Sequence, residues 1–178
     1  MITLISVIGF SNTGKTTFIE KMVKELHGQG YRTAVIKHDP LDHGEVDKVG
    51  SDTSLFWNAG SQAVALSSPK RLTLFLRTDK DTQPEAIIPL LGNVDWVILE
   101  GYKGWAFPKL VIWSSKVQNL TFEPGELLAV ICDHHNLDNA KSWVNGNAPL
   151  FLRDDIEELV HFLKLRLKED TELGGKTW

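Results

Sequence analysis

The chain has 178 residues, 42% hydrophobic and 24% charged, with a formal net charge of −4. That is enough apolar content for one packed domain, and the mildly acidic balance argues against a basic nucleic-acid-binding face. The lone cysteine, Cys132, excludes an internal disulfide; no apolar run approaches the ~20 residues of a membrane span; and the apolar start lacks the features of a secretory leader. The expected setting is the cytoplasm, with no nucleic acid or membrane as partner.

Ile2 to Ile8 is a β-rich apolar run and reads as a strand. Gly9-Phe10-Ser11-Asn12-Thr13-Gly14-Lys15-Thr16 follows and fits G-x-x-x-x-G-K-[ST], a phosphate-binding loop. A helix comes next over Thr17 to Leu26, with Ile19, Met22, Val23 and Leu26 on one face. Strand, glycine loop and helix are the order the chemistry needs. Gly9 and Gly14 let the backbone curl so that successive N–H groups face inward, and the helix N-terminus adds donors and partial positive charge. Lys15 is placed to reach the β- and γ-phosphates, and the Thr16 hydroxyl to hold Mg²⁺. Asn12, Thr13 and Thr17 complete the candidate cradle.

Gly28-Gln29-Gly30 stops the helix, and Thr33 to Lys37 is a short strand. Asp39 to Gly50 is a polar loop of acids, histidine, glycine and proline, long for a connection and therefore a functional candidate. Lys37 and His38 suit an anion. The acids suit Mg²⁺ or a polar substrate, with Asp39 as the candidate metal ligand and Asp52 as a candidate ligand-binding acid. A zinc site from His38 and His43 is disfavoured, because no thiolate supports it. A solvated loop is the plain alternative.

Ser51-Asp52-Thr53 opens a helix over Ser54 to Ala59, closed by Gly60. Ala63 to Leu66 and Leu72 to Leu76 are strands whose link is too short for a crossover, so they form an antiparallel hairpin. A helix with proline in its first turn runs from Gln83 to Leu91. Trp96 to Gly101 is a buried strand ending in the acid Glu100 and a glycine, the shape of a strand whose acid serves the metal shell or a water near the γ-phosphate. Gly101 permits close approach there, and Lys103 follows as a candidate anion contact.

Leu110 to Trp113, Leu127 to Asp133 and Pro149 to Leu152 are the remaining strands. Asp133 sits where nucleotide-binding proteins often recognise a base, but the N-K-x-D text of guanine-specific GTPases is absent, so the base is not readable. His134 and His135 read as exposed loop residues. The longest helix spans Asp154 to Glu169, with Phe162 and Leu165 widening its apolar face; Thr171 to Trp178 reads as a tail.

Eight strands, most of them alternating with helices and two of them forming an inserted hairpin, predict a three-layer α/β fold of the P-loop NTPase type. Its sheet is expected to be mixed but mainly parallel, in a single domain over residues 1–170. In such sheets the site lies beyond the carboxyl ends of the strands. The P-loop, Lys37-His38-Asp39, Glu100 to Lys103 and Asp133 to His135 all fall there. Lys15 and Glu100 are the candidate catalytic residues, and Thr16, Glu100 and Asp39 the candidate metal ligands.

The stretches Gly9 to Thr17 (GFSNTGKTT), Val35 to Thr53 (VIKHDPLDHGEVDKVGSDT), Ala59-Gly60 and Leu99 to Lys103 (LEGYK) together resemble the MobB family, the molybdopterin-guanine dinucleotide biosynthesis adapter proteins. The second stretch, with Lys37, His38, His43, Asp47, Gly50 and Asp52, is the distinctive one. The resemblance implies a GTP-binding protein with weak GTPase activity. Such a protein assists the guanylyltransferase acting on molybdopterin, and is implied to help deliver the cofactor to apoenzymes. It also implies a homodimer, for which the hairpin near Ala63 to Arg77 is the candidate element. Two other classes use the same fold. A small-molecule kinase or ATP-dependent ligase would need an acceptor pocket and a base. A metal-delivery GTPase would bring a His-rich tract or a cysteine motif with N-K-x-D, neither of which is present.

Overall fold

A computed structural model of the chain describes residues 2–42, 44, 47–116, 125–144, 146 and 148–172, with side chains described as far as residue 167. In chain order the elements are β1 (Thr3–Ile8), α1 (Lys15–Gly28), β2 (Thr33–Lys37), α2 (Asp52–Asn58), β3 (Ala63–Ser68), β4 (Arg71–Leu76) and α3 (Pro84–Ile87). They continue with β5 (Trp96–Glu100), β6 (Lys109–Ile112), β7 (Leu127–Cys132), α4 (Leu137–Val144), β8 (Leu150–Leu152) and α5 (Ile156–Glu172). Single 3₁₀ segments cover Ile88–Leu91 and His134–Asn136. The chain forms two compact units: Met1–His38 with Ile87–Trp178, and Asp39–Ala86.

The first unit is built on a six-stranded sheet in the order β2-β5-β1-β6-β7-β8, with every pair parallel. Parallel strands are covered on both faces, which is why Trp96 to Leu99 and Leu127 to Cys132 read as unbroken apolar runs rather than alternating ones. Ile5, Val7, Ile98, Leu110, Ile112 and Ile131 point to one face. There they meet Phe18, Ile19, Met22 and Leu26 of α1 and Leu159, Val160 and Leu163 of α5. On the opposite face, Ile8, Val111, Val130 and Cys132 pack under Ala140 and Val144 of α4. Leu4, Val97, Leu99 and Ile36 pack with Ile88 and Phe107. Helix, sheet and helix make the three layers.

The eight expected strands all form, but they divide between two sheets. β3 and β4 pair with each other, antiparallel, as a separate two-stranded sheet in the second unit. Their link is only Pro69-Lys70 between the paired Ser68 and Arg71, and so short a turn permits no parallel crossover. In the same unit Ser51 caps α2, its hydroxyl accepting from the Ser54 amide at 3.3 Å. Asp47 accepts from the Thr53 hydroxyl, and Arg77 lies 4.0 Å above the Trp57 ring.

Three elements depart from the sequence expectation, which held no helix between β7 and β8. α4, eight residues long, buries only Ala140 and Val144 fully, so its apolar signal is weak. The segment expected as one helix to Leu91 is a single α-turn followed by a 3₁₀ segment with Pro89 in its first turn. α5 begins at Ile156 and continues to Glu172, so it absorbs the start of the expected tail; residues 173–178 lie outside the described residues. Phe162 packs against the core beside Phe151, their ring centroids 5.3 Å apart, whereas Leu165 is exposed. Cys132 is buried and free, and burial raises its thiol pKa, the profile of an inert thiol. Among the described residues, no helix is long and apolar enough to cross a membrane.

Candidate functional site

The glycine loop leaves β1 at Gly9 and enters α1 at Lys15. Gly9 runs so close to the neighbouring strand that a Cβ there would sit 3.1 Å from the Ile112 carbonyl oxygen and 3.2 Å from the Thr13 hydroxyl. Gly14 is in the left-handed region at φ 79°, and Asn12 also has a positive φ, 61°. The loop is fastened internally: the Thr13 hydroxyl and the Lys15 ammonium both donate to the Phe10 carbonyl, at 2.8 and 2.7 Å. Thr16 and Thr17 stand exposed in the first turn of α1.

β5 runs beside β1 and β2, and the register places Glu100 level with Val7 on one side and Lys37 on the other. This puts the acid at the carboxyl edge, where the Thr16 hydroxyl donates to Glu100 Oε1 at 3.0 Å. Glu100 is 9% exposed. Thr16 and Glu100 are an all-oxygen pair, the donor set that Mg²⁺ prefers. Among the described residues, no group of three or more histidine, cysteine, aspartate or glutamate side chains is arranged for a metal ion.

Lys15 has a lowered pKa, first because it is partly buried. Glu100 opposes that shift, and Lys103 and Lys37 add to it by like-charge repulsion. Three ammonium groups around one carboxylate leave an excess of positive charge beside the loop, favourable for a polyanion. Lys103 lies 5.4 Å over the Phe10 ring. The turn after Glu100 is conformationally strained: Gly101 has φ 93° and the non-glycine Tyr102 has φ 56°. The turn is held in place by the Ser6 hydroxyl donating to the Gly101 carbonyl at 2.7 Å. Tyr102 also stacks on His38, ring centroids 4.7 Å apart, with Trp105 edge-on to both.

At the far side of the loop, Asp133 follows β7. Its carboxylate accepts two hydrogen bonds from Arg153, which follows β8. The guanidinium lowers the Asp133 pKa, first through these bonds. The structure therefore brings Gly9, Asn12, Thr13, Gly14, Lys15, Thr16, Thr17, Lys37, His38, Glu100, Gly101 and Asp133 to the carboxyl edge of one sheet. Asp39 and Asp52 belong to the second unit. There Asp39 accepts from the Gly44 amide at 2.9 Å, and Asp52 is an exposed residue in the first turn of α2. His43 lies outside the described residues.

Sequence reasoning passed over Arg153 and Trp105. The signal for Arg153 was available. It is the first polar residue after the last strand, at the edge where such sheets place their sites. Trp105 gave no signal, because only the folded turn brings it against His38.

A parallel sheet with a glycine loop between β1 and α1, and an acid at the end of the adjacent strand, defines a P-loop NTPase fold. Residues 4–133 match the family described as MobB, molybdopterin guanine dinucleotide synthesis protein B. The chain belongs to this family. It is similar to the molybdopterin-guanine dinucleotide biosynthesis adapter protein of Haemophilus influenzae, 28% identical over 162 residues that cover 90% of each chain. It is also similar to the probable adapter protein of Bacillus subtilis, 30% identical over 72% of this chain and 75% of that one. The fold is that of the crystal structure of Bacillus subtilis MobB, with a TM-score of 0.67 at 24% identity, covering 94% of this chain and 98% of that one.

Proposed function

We propose that this protein is a GTP-binding adapter in molybdenum cofactor biosynthesis. It assists a guanylyltransferase in forming molybdopterin guanine dinucleotide, and takes part in passing the finished cofactor to apoenzymes. The observation that carries the nucleotide half is the contact between Thr16 and Glu100 at the end of the glycine loop, 3.0 Å long, with Lys15 beside it. Membership of the MobB family supports the cofactor half.

In this reading the loop amides and Lys15 bind the phosphates, and Thr16 with Glu100 holds Mg²⁺. Mg²⁺ neutralises phosphate charge when bound. Glu100 also orients a water, which gives slow hydrolysis. Asn12, Thr13 and Thr17 line the cradle, and Gly101 allows close approach. Lys37 and His38 serve a second anionic ligand, molybdopterin or its phosphate. In the second unit, Asp39 serves a metal ion and Asp52 a polar ligand or the partner enzyme. The protein acts as a cytoplasmic homodimer, with the exposed Leu72, Leu74 and Leu76 of the hairpin as the self-association surface.

Titration calorimetry of the purified protein with GTP, ATP and molybdopterin tests this. GTP and molybdopterin should bind, and Lys15→Ala should abolish GTP binding while leaving the circular dichroism spectrum unchanged. Unchanged GTP affinity in Lys15→Ala would sink the assignment. A phosphorylated product formed with ATP would replace it with a kinase.

A further inference from the structure

Residues 101–108 join β5 to β6, and the link is held more firmly than a surface connection requires. The Gly101 amide donates to the Val7 carbonyl at 3.0 Å, and the Ser6 hydroxyl donates to the Gly101 carbonyl at 2.7 Å. Tyr102 follows in the left-handed region, φ 56°, with its buried ring stacked on His38. Further on, the buried Lys109 ammonium donates to the Trp105 and Phe107 carbonyls at 2.7 and 2.8 Å. Left-handed backbone is costly at a tyrosine, and it persists only where the surroundings over-determine it.

What this turn secures is the direction of the next side chain. Tyr102 goes inward to His38, and Lys103 comes back over the phosphate loop, its Nζ 5.4 Å from the centre of the Phe10 ring. The Lys15 ammonium meets the same residue through its carbonyl, at 2.7 Å. Burial lowers the Lys15 pKa first, and Lys103 lowers it further by like-charge repulsion, so the two ammonium groups sense each other. Among the described residues Lys103 makes no ion pair and no hydrogen bond, and the Phe10 ring is its partner. A phenylalanine face holds an ammonium less strongly than a phosphate oxygen does. A fixed backbone beneath an uncommitted cation is a place prepared for an anion.

A lysine at the position of Lys15 spans the β- and γ-phosphates of a nucleotide, and the acid that ends β5 marks the γ-phosphate side. Lys103 stands three residues beyond that acid, on a turn bonded to the end of β1. Resting on the nucleotide-binding reading above, we propose that Lys103 is the specificity-determining residue that tells a nucleoside triphosphate from a diphosphate. Its ammonium leaves the Phe10 ring and pairs with the terminal phosphate, which a diphosphate lacks. Lys15 reaches the β-phosphate as well and so serves both ligands.

The experiment is calorimetry on the full chain in Mg²⁺ buffer, with GDP and with GTPγS, a triphosphate that resists hydrolysis. Lys103→Met keeps the length of the side chain and removes its charge. Its affinity for GTPγS should fall about tenfold, the value of one charge-assisted hydrogen bond. Its affinity for GDP should stay within about threefold of wild type, because solvent and salt screen a charge that lies beyond the last phosphate. Retained GDP binding also shows that the variant is folded. Lys103→Arg restores the charge and should bring GTPγS back to within about threefold of wild type. Equal losses for GTPγS and GDP in Lys103→Met would overturn the proposal and make the lysine a general anion contact. Unchanged affinity for both would overturn it too, and leave Lys103 a packing residue on Phe10. Failure of wild type to bind either ligand overturns the nucleotide reading itself.

Discussion

Asp95 shows how much a single residue's position in the strand decides. It stands one residue before the apolar run of β5, at the amino edge of the sheet, while Glu100 stands at the carboxyl edge. Glu100 there meets Thr16. Asp95 instead takes three hydrogen bonds from Arg32, from its amide at 2.8 Å and its guanidinium at 3.0 and 2.8 Å. Those bonds hold the Asp95 pKa down to about 2, from an ordinary 3.8. A carboxyl group whose pKa is depressed on folding stabilises the folded state above its unfolded value, and that stability is lost as pH falls through the folded value. Asp95→Asn should therefore melt below wild type at neutral pH, and the gap should close between about pH 4 and pH 2. Thermal melts of both proteins across that range check this; a gap that persists unchanged at pH 2 would assign the effect to shape rather than charge.

At the scale of elements, the hairpin is the part whose role depends least on its own packing. Leu72, Leu74 and Leu76 of β4, at alternate positions on one face of the ribbon, are 71%, 49% and 52% exposed. A two-stranded ribbon is marginal by itself in water, and an apolar face of this kind favours association. With the homodimer reading, replacing Leu72 and Leu74 together by Asp should convert a dimer into a monomer in sedimentation or light-scattering measurements. Nucleotide binding should persist, since the loop, Lys15 and Glu100 belong to the other unit. A dimer unaffected by both substitutions would move the interface elsewhere. The hairpin itself was legible because Ser67 to Arg71 is too short to cross over. α4 was not, because Leu137, Ala140 and Val144 amount to two turns of weak apolar spacing after a polar 3₁₀ segment.

For the molecule as a whole, the first unit rests on the layer formed by α1 and α5 across one face of the sheet. Leu159 is 1% exposed there, among Phe18, Met22, Leu26 and Leu163. Leu159→Ala should cost about 2–5 kcal/mol, the usual toll of removing a buried leucine side chain and leaving a cavity. Urea unfolding would show it as a lower midpoint with an unchanged slope. A shift under about 0.5 kcal/mol would mean that the two helices are not coupled through this contact.

The sequence alone determined the strand–loop–helix unit around Lys15, the mainly parallel α/β class, the acid at the end of β5 and the family resemblance. These are local features. A phosphate loop is a run of eight residues, and strand and helix periodicities are written in windows of comparable length. Tertiary structure decided everything that joins distant stretches of chain. It set the strand order β2-β5-β1-β6-β7-β8, which makes Glu100 a neighbour of Thr16, 84 residues away. It stacked His38 on Tyr102, and it laid Arg153 between Asp133 and Gly14, 139 residues from the loop it braces. No periodicity encodes such meetings, because they follow from which strands lie side by side and in what register.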